Sequence, residues 1–589
     1  MADTKGDVLD MLRELAELTV LDEGDPQSFR VRAYENAAHA IAAQATDLGR
    51  LTVKELQRIE NIGKSTAEKI RELLETGKVA RLDELRARHP AAIVALARIP
   101  GIGPKTVKRL RAELGVQSVD DLRVALAERR LRALKGFGPQ SEEKLGRALA
   151  RLEDQGTVGR TPLSVALPLA TRIAERLREV PGVTHASVCG SVRRFAETIG
   201  DLDIVIAADV ADPVMEALVS LPQIDRVLGR GDAKTSVVTK RGVQVDVRVV
   251  AGRQLGAALL YFTGSKAHNI KLRQRALARG LTLNEYALSK LDGGDVVASE
   301  TEEAIYEALG LPWIPPVLRE DAGEVEAAEA GTLPRPIAHV IGDFHVHTSV
   351  SGDGRSSLEE VVAAARARGL RVLAITDHAE GTLSGVSREA LLEQRAKIRA
   401  LQINLGDSLT LLHGLELNIG PAGELDYDLA FRKTFDWCVA SVHGHFDLDR
   451  ATQTKRIVTA MHDPSVRLIG HLSARMIGAR PPIDLDPDAI FAAAEETGTA
   501  LEVNGALPRL DLSVEWLHRA RQRDVTLVLT SDAHHAHELA RVGFAASNAE
   551  RAWVDPERVA NAWPAERLLA WAARKPAGLA SLQRSSPTT

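Results

Sequence analysis

Seven short apolar runs beyond residue 340 end in metal-binding side chains: GDFHVHT, RVLAITDH, LLHGLELN, WCVASVHG, VRLIGHLS, ALEVNG and TLVLTSDAH. Amphipathic stretches such as SLEEVVAAARARG and PDAIFAAAEETG lie between them. Strand-length apolar runs alternating with helical periodicity predict a parallel β/α barrel, since parallel strands need crossover connections. In such a barrel the chemistry collects at the C-terminal strand ends. The donors falling there are His345, His347, Asp353, His378, Glu416, His443, His471, Asp532 and His534. Nitrogen and oxygen donors without thiolate suit Mn2+, Zn2+ or Fe2+. Nine donors exceed the needs of one ion, so a centre of two or three ions is expected, with Glu416 a candidate bridge. Clustered ions of this kind activate water for in-line attack on phosphate esters. Any one of these histidines alone could be a buried polar residue with ordinary hydrogen bonds; the repetition over so many strands favours a ligand set.

The chain has 589 residues, 45% of them hydrophobic, more than one core can organise, so several domains are expected. Two cysteines, Cys189 and Cys438, exclude a disulfide framework. The acidic, amphipathic start lacks a secretory pattern and no apolar run reaches membrane-spanning length, so a cytoplasmic protein without a membrane role is expected. The net charge of −5 conceals an asymmetry: residues 51–150 carry 21 Lys and Arg against 13 Asp and Glu. That basic block is consistent with phosphate contacts, although a solvated helical surface has the same composition.

Within the block a unit recurs as IENIGKSTAEKI at 59–70, IPGIGPKTVKRL at 99–110 and LKGFGPQSEEKL at 134–145. Gly63, Gly103 and Gly138 allow a tight turn that presents N–H groups at a helix N-terminus, where a DNA phosphate binds without any base being read. These units resemble helix-hairpin-helix motifs. Gln140 makes the third copy the most divergent.

A second constellation begins at VTHASVCGSVRRFAETIGDLDIVIA. Asp201 and Asp203 lie two apart on a predicted strand, so their carboxylates share a face. Asp246 lies in a second strand-like run, VQVDVRVV. Three convergent carboxylates can hold two Mg2+ or Mn2+ with substrate phosphates completing the shells, and Gly190 and Ser191 add a phosphate-binding turn. Solvent-facing aspartates on an edge strand are the alternative for each alone.

The barrel motifs, HxH at 345–347, TDH at 376–378, Glu416, His443, His471 and DAH at 532–534, resemble the polymerase and histidinol phosphatase (PHP) family of phosphoesterases. That resemblance implies one ion at Asp353, His378 and His534, a second at His345, His347, Glu416 and Asp532, and a third at Glu416, His443 and His471. GSVRR, GDLDIVI and YFTGSKAHNIKLRQRALARGLTLNEYAL resemble the family X DNA polymerases of the polymerase β type, over roughly residues 1–316. The resemblance implies metal binding by Asp201, Asp203 and Asp246, with Asp246 helping to activate the primer 3′-hydroxyl. It implies that Ser191, Arg194 and Gly200 grip the triphosphate, that Tyr261, Phe262 and Gly264 face the sugar, and that Asn269 meets the base edge and Arg273 the template strand. Lys266 and Gln244 depart from the polymerase β pattern, which has an acidic and a basic residue there. Arg30 and Tyr34 match a 5′-phosphate-binding site, and Lys69 matches a Schiff-base lysine; a phosphate-binding or solvent-facing lysine is the alternative, since Ser65 replaces another family lysine.

The expected architecture is multidomain α+β and α/β. It comprises a helical gap and 5′-phosphate domain at 1–82, a thumb-like helical domain at 83–150, a nucleotidyltransferase palm at 151–250 and a fingers-like subdomain at 251–316. A linker at 317–338, expected to be exposed, a distorted seven-stranded PHP barrel at 339–575 and a loose tail at 576–589 complete it. The expected function is a monomeric gap-filling repair polymerase in base excision repair, acting on gapped or primed double-stranded DNA and deoxynucleoside triphosphates. Its barrel would be a 3′–5′ exonuclease, with abasic-site incision or 3′-phosphate removal as further reactions. The competing expectations are a DNA-tethered small-molecule phosphatase and a non-catalytic DNA-end scaffold.

Overall fold

The computed structural model describes residues 4–573 apart from positions 26–27, 44–47, 60, 98, 100–101, 135–136, 140, 144, 147–148, 150–159 and 382–383. It divides into two compact units. Residues Met1–Gly264 and Leu272–Leu309 form the first, Ser265–Lys271 and the chain from Gly310 onward the second. The expected loose tail at 576–589 and Gln140 lie outside the described residues.

The first unit opens with helices around two apolar cores. One is built on Val8, Leu12, Leu15, Val31, Ile41, Leu56 and Ile70, the other on Ile93, Leu96, Val107, Leu110 and Leu122. The expected hairpin helices form at Lys64–Thr76 and Pro104–Leu114, with Gly63 and Gly103 as extended N-caps. Gly77 and Gly115 end them at φ 69° and 71°, a left-handed conformation that costs glycine little.

Beyond them lies a five-stranded mixed sheet. Its strands are β1 (Val183–Val188), β2 (Asp201–Ala208), β3 (Ile224–Arg230), β4 (Lys234–Thr239) and β5 (Gln244–Val250), ordered β1-β2-β5-β4-β3. Only β2 and β5 pair in parallel. The helix Leu163–Arg178 buries Ala166, Leu169, Ala170, Ile173, Ala174 and Leu177, apolar positions at helical spacing that give it one sticky face.

In the second unit seven strands run in chain order and in parallel: β6 (Gly342–Val346), β7 (Val372–Ile375), β8 (Thr410–Asn418), β9 (Trp437–Ser441), β10 (Leu468–Gly470), β11 (Ala500–Asn504) and β12 (Leu527–Thr530). A parallel bridge between Val346 and Ala533 brings the last strand back beside the first, so the barrel is nearly closed. All five residues of β6, β9 and β11 are buried, as expected of parallel strands covered on both faces.

The segment expected as an exposed linker at 317–338 is in part folded and buried. Residues Glu324–Ala330 are helical, Arg319 and Glu324 are fully buried, and Glu324 Oε1 lies 2.6 Å from His268 Nδ1. An acid-rich composition read as solvated therefore conceals a carboxylate whose burial is offset by its partner. Among the described residues no helix is long and apolar enough to cross a membrane.

Candidate metal centres

The barrel ligand set converges on Glu416, at the C-terminal end of β8. Its carboxylate lies 2.8 Å from His378 Nδ1, 3.0 Å from His471 Nε2, 3.2 Å from His443 Nε2, 3.3 Å from His345 Nε2 and 3.6 Å from His347 Nε2. Asp353 Oδ2 sits 3.2 Å from His378 Nε2 and 3.5 Å from His534 Nε2, while Asp532 Oδ1 sits 3.5 Å from His347. Three groups have donor atoms mutually within 4.8 Å: His347, Asp353, His378 and His534; His345, His347 and Asp532; His378, Glu416 and His443. This differs from the inferred partition. His347 joins the group built on Asp353, His378 is shared with Glu416, and His471 stays beside Glu416 outside the tight groups.

A set of buried donors that lacks hydrogen-bond partners is what a multi-ion centre requires. Nε2 of His345, both ring nitrogens of His347, Nδ1 of His378, His443 and His471, and Asp353 Oδ1 are buried and make no hydrogen bond. Orphaned polar atoms are costly in a protein interior, and here they surround one carboxylate. The residues therefore fit divalent ions. The electrostatics agree: burial disfavours the charge on Glu416, but the imidazoles of His443, His345 and His378 hold its carboxyl well below the ordinary range. Burial would lower His378, yet Glu416 and Asp353 push it up to about 10. Burial, then the neighbouring His534 and His378, pull His347 down to about 3.

Two candidate ligands occupy strained backbone. His471 has φ 24° and Asp532 φ 50°, which turns each side chain inward from a strand end. Gly470 is required because a Cβ there would meet Ser441 Oγ at 2.3 Å and His345 Cε1 at 3.3 Å.

The run ALEVNG contributes none of the nine inferred ligands. Instead Glu502 on β11 accepts from His345 Nδ1 at 2.6 Å, from Thr530 Oγ1 at 2.7 Å and from the His471 backbone N–H. Asn504 Nδ2 donates to Glu502 at 3.2 Å and to Asp532 at 3.0 Å. Glu502 thus fixes the ring orientation and tautomer of one candidate ligand and the backbone of another. The signal was available: an acid within a wholly apolar strand, as at Asp203. Arg509, 3.5 Å from Asp532 Oδ2, is a further residue the motifs did not disclose.

On the mixed sheet, Asp203 of β2 and Asp246 of β5 are directly paired in register, with Asp201 two residues earlier on the same face. Burial and then the charges of Asp201 and Asp246 raise Asp203 to about 7, the signature of converging carboxylates. A cation already stands against the cluster: Lys234 Nζ is 2.6 Å from Asp246 Oδ2, and Gln244 Nε2 donates to Asp246 Oδ1 at 3.1 Å. Burial opposes ionisation of Asp246, but Lys234, Ser236 and Gln244 hold its carboxyl below the ordinary range. The carboxylates therefore also fit divalent ions, with Lys234 paired to Asp246. Gly190 has φ 60°, and a Cβ there would meet Asp203 Oδ2 at 2.2 Å, so the Gly190–Arg193 turn lies directly against the cluster.

That turn is anchored. Arg193 makes a bidentate pair with buried Glu302 at 2.9 and 2.8 Å and donates to Thr263 Oγ1 at 2.6 Å, while Arg194 Nη1 donates to the Thr263 carbonyl at 2.5 Å. Ser191 is partly buried and Gly200 exposed. Thr263 ends Leu255–Thr263, the helix that also carries Tyr261 and Phe262 and is capped by Gly264. The loop and this segment are thereby brought together. Asn269 and Arg273 follow on Lys266–Leu277, Asn269 partly buried and Arg273 exposed. In the helical region Lys69 Nζ donates to Ser65 Oγ at 2.7 Å and lies 5.9 Å from the Tyr34 ring centroid; burial lowers its pKa. Arg30 is exposed and pairs with Glu23 at 3.0 Å.

A carboxylate-bearing mixed sheet preceded by hairpin helices, together with a parallel barrel carrying a His and carboxylate cluster, defines a class of two-centre protein built from a polymerase region and a PHP region. Family models agree: a helix-hairpin-helix domain at residues 3–79, a SAM-like helix-hairpin-helix tandem at 93–151, a DNA polymerase beta thumb at 258–320 and a PHP domain at 343–504. The polymerase beta thumb falls on the segment expected as fingers-like. The chain is 35% identical over 562 residues to the DNA polymerase/3′-5′ exonuclease PolX of Bacillus subtilis (strain 168), covering 95% of this chain and 97% of that one. It is 25% identical to DNA polymerase lambda of Rattus norvegicus over 51% of this chain and 53% of that one, and 26% identical to a probable phosphatase of Vibrio cholerae serotype O1 (strain M66-2) over 37% and 87%. The chain belongs to the bacterial-type family X DNA polymerases that carry a C-terminal PHP domain.

Proposed function

We propose that the protein is a DNA-directed DNA polymerase that fills gaps during DNA repair in the cytoplasm, as a monomer, and that its barrel is a metal-dependent 3′–5′ exonuclease. The observation that carries the polymerase reading is the in-register Asp203 and Asp246 pair lying against the Gly190 turn. Asp201, Asp203 and Asp246 would hold Mg2+ or Mn2+, which when bound neutralise charge on the transferring phosphate and acidify the primer hydroxyl. The protein's own part is positioning. The Gly190–Arg193 turn, held by Glu302 and Thr263, presents Ser191 and backbone N–H groups to the triphosphate of an incoming deoxynucleotide. Arg194 and Gly200 border the same phosphates; Tyr261, Phe262 and Gly264 face the sugar, Asn269 the base edge and Arg273 the template. Lys234 must yield Asp246 for a cation to bind there, and is then free to meet a primer phosphate.

In the barrel, Asp353, His378 and His534 would hold one ion, His345, His347, Glu416 and Asp532 a second, and Glu416, His443 and His471 a third, as Mn2+, Zn2+ or Fe2+. Glu502 orients His345. Abasic-site incision and 3′-phosphate removal use the same phosphoester chemistry. In the helical region Gly63, Gly103 and Gly138 would contact the DNA backbone, and Arg30 and Tyr34 would border a 5′-phosphate. Lys69, its pKa lowered by burial, would attack an abasic aldehyde.

The test is a time course on a 5′-labelled primer in a gapped template with Mn2+, with and without nucleotides, for wild type, Asp203→Ala and His345→Ala. Extension lost only in the first variant and shortening lost only in the second supports two separate centres. Wild-type protein that neither extends nor shortens the primer defeats the reading.

A further inference from the structure

Beside the barrel centre stands a cation that no metal explains. Arg509, in the loop after β11, has Nε 3.5 Å from Asp532 Oδ2 and its side chain is 20% exposed. Its Nη1 is buried and makes no hydrogen bond. A guanidinium adjoining a site that would already hold divalent cations is electrostatically unfavourable unless an anion is also brought there.

The loop that carries it is built to hold still. Arg475 Nε donates to the Arg509 carbonyl at 2.8 Å, and Arg475 Nη2 to the Leu510 carbonyl. Asp511 accepts from the Ser473 N–H at 2.9 Å and Oγ at 2.8 Å, and Asn504 N–H donates to the Asp511 carbonyl at 2.5 Å. Residues 509–511 are thus clamped to residues 473–475, just after the candidate ligand His471, and Asn504 closes the loop onto Asp511. The side chain pairs with Asp532, lies within the field of the buried Asp511 carboxylate and of Arg480, and has a donor left over.

Resting on the exonuclease reading, we infer that Arg509 is a substrate-binding residue: it donates to a non-bridging oxygen of the 3′-terminal phosphate, using one edge of the guanidinium while the other stays against Asp532. Arg475 is a positioning residue that acts through the Arg509 backbone. The planar fork matters, since a guanidinium spans a ligand carboxylate and a phosphate together where an ammonium meets one partner at a time.

The experiment uses the full chain loaded with Mn2+, as wild type, Arg509→Met and Arg509→Lys, reading kcat and KM for shortening, extension by the palm, and bound metal. Binding of a deoxynucleoside 5′-monophosphate, the product of 3′–5′ trimming, is read by calorimetry in an Asp203→Ala background so that the palm does not contribute. Arg509→Met should weaken monophosphate binding roughly tenfold or more, the size of one hydrogen bond to a charged group. KM for shortening should rise while bound metal and extension stay at wild-type levels, and Arg509→Lys should recover only part of the loss. Metal content falling in step with shortening would overturn the inference, because Arg509 would then act only on Asp532; unchanged monophosphate binding would overturn it equally. If wild type extends but never shortens, the exonuclease reading fails, and the calorimetric comparison still decides whether Arg509 binds phosphate.

Discussion

The two candidate metal centres solve opposite electrostatic problems. On the palm sheet three carboxylates crowd one face, Asp201 exposed and Asp203 and Asp246 partly buried, with Lys234 as the neighbouring cation. In the barrel His345, His347 and Glu416 are almost fully buried, and imidazoles alternate with acids around Glu416. Among the described residues, groups of three or more donor atoms within 4.8 Å occur in the barrel alone. On the proposed reading the palm is an incomplete ligand set that would be finished by ions arriving with the substrate's phosphates. The barrel is nearly complete before substrate arrives. The first suits an enzyme that admits a new triphosphate each cycle, the second a resident ion cluster that cleaves whatever end reaches it.

The largest test of that contrast is separation of activities. Asp203→Ala should lower primer extension about 100-fold or more while leaving shortening intact, and His345→Ala should do the reverse, since each removes charge stabilisation at only one centre. A variant that abolishes both activities would break the comparison.

Chelation comes next. Removing resident ions should lower the barrel's unfolding temperature, because ions bound about 1,000-fold above their dissociation constant contribute roughly 4 kcal/mol. Scanning calorimetry with and without chelator should show the barrel transition moving and the palm transition staying. Equal movement of both would mean that the palm, too, holds its ions without substrate.

A finer probe is Glu502→Gln, which weakens the His345 and His471 supports without removing a proposed ligand. Metal affinity in the barrel should drop about 10- to 100-fold, read by competition with a chromogenic chelator.

The smallest effect is in pH. Asp203 is raised from 3.8 to about 7, by burial first and then by Asp201 and Asp246. The folded state therefore holds a proton that the unfolded state has released, so without divalent ions this group makes stability fall as pH rises from about 4 to about 7. Asp203→Asn should remove that dependence, and melting temperatures of the two chains should diverge most above pH 7. Parallel curves would show that the carboxylates do not crowd one another.

Much of this was legible beforehand because strands encode it locally. A parallel strand buried on both faces is a continuous apolar run, and a ligand at its C-terminal end needs only that run's own residues to be seen; β6, β7, β8 and β12 announce His345, His347, His378, Glu416, Asp532 and His534 in this way. The period-two spacing of Asp201 and Asp203 and the Gly63 and Gly103 turns are equally local. Glu502 carried the same signal but supports a ligand instead of joining the nine. The burial of Glu324 in the acidic stretch before the barrel is not legible in composition, which does not reveal its partner His268, 56 residues away.

The sequence by itself determined the order of strands, the supply of metal donors and the separation into a helical, polymerase-like front and a barrel. These depend on periodicity and residue type within a few positions. Only the tertiary structure decided how the donors are shared, with His347 reaching toward Asp353 and His378 toward Glu416, and only it placed Lys234 on Asp246 and Arg509 on Asp532. Those pairings join residues far apart in the chain through side-chain geometry, and burial then sets how strongly each charge is felt.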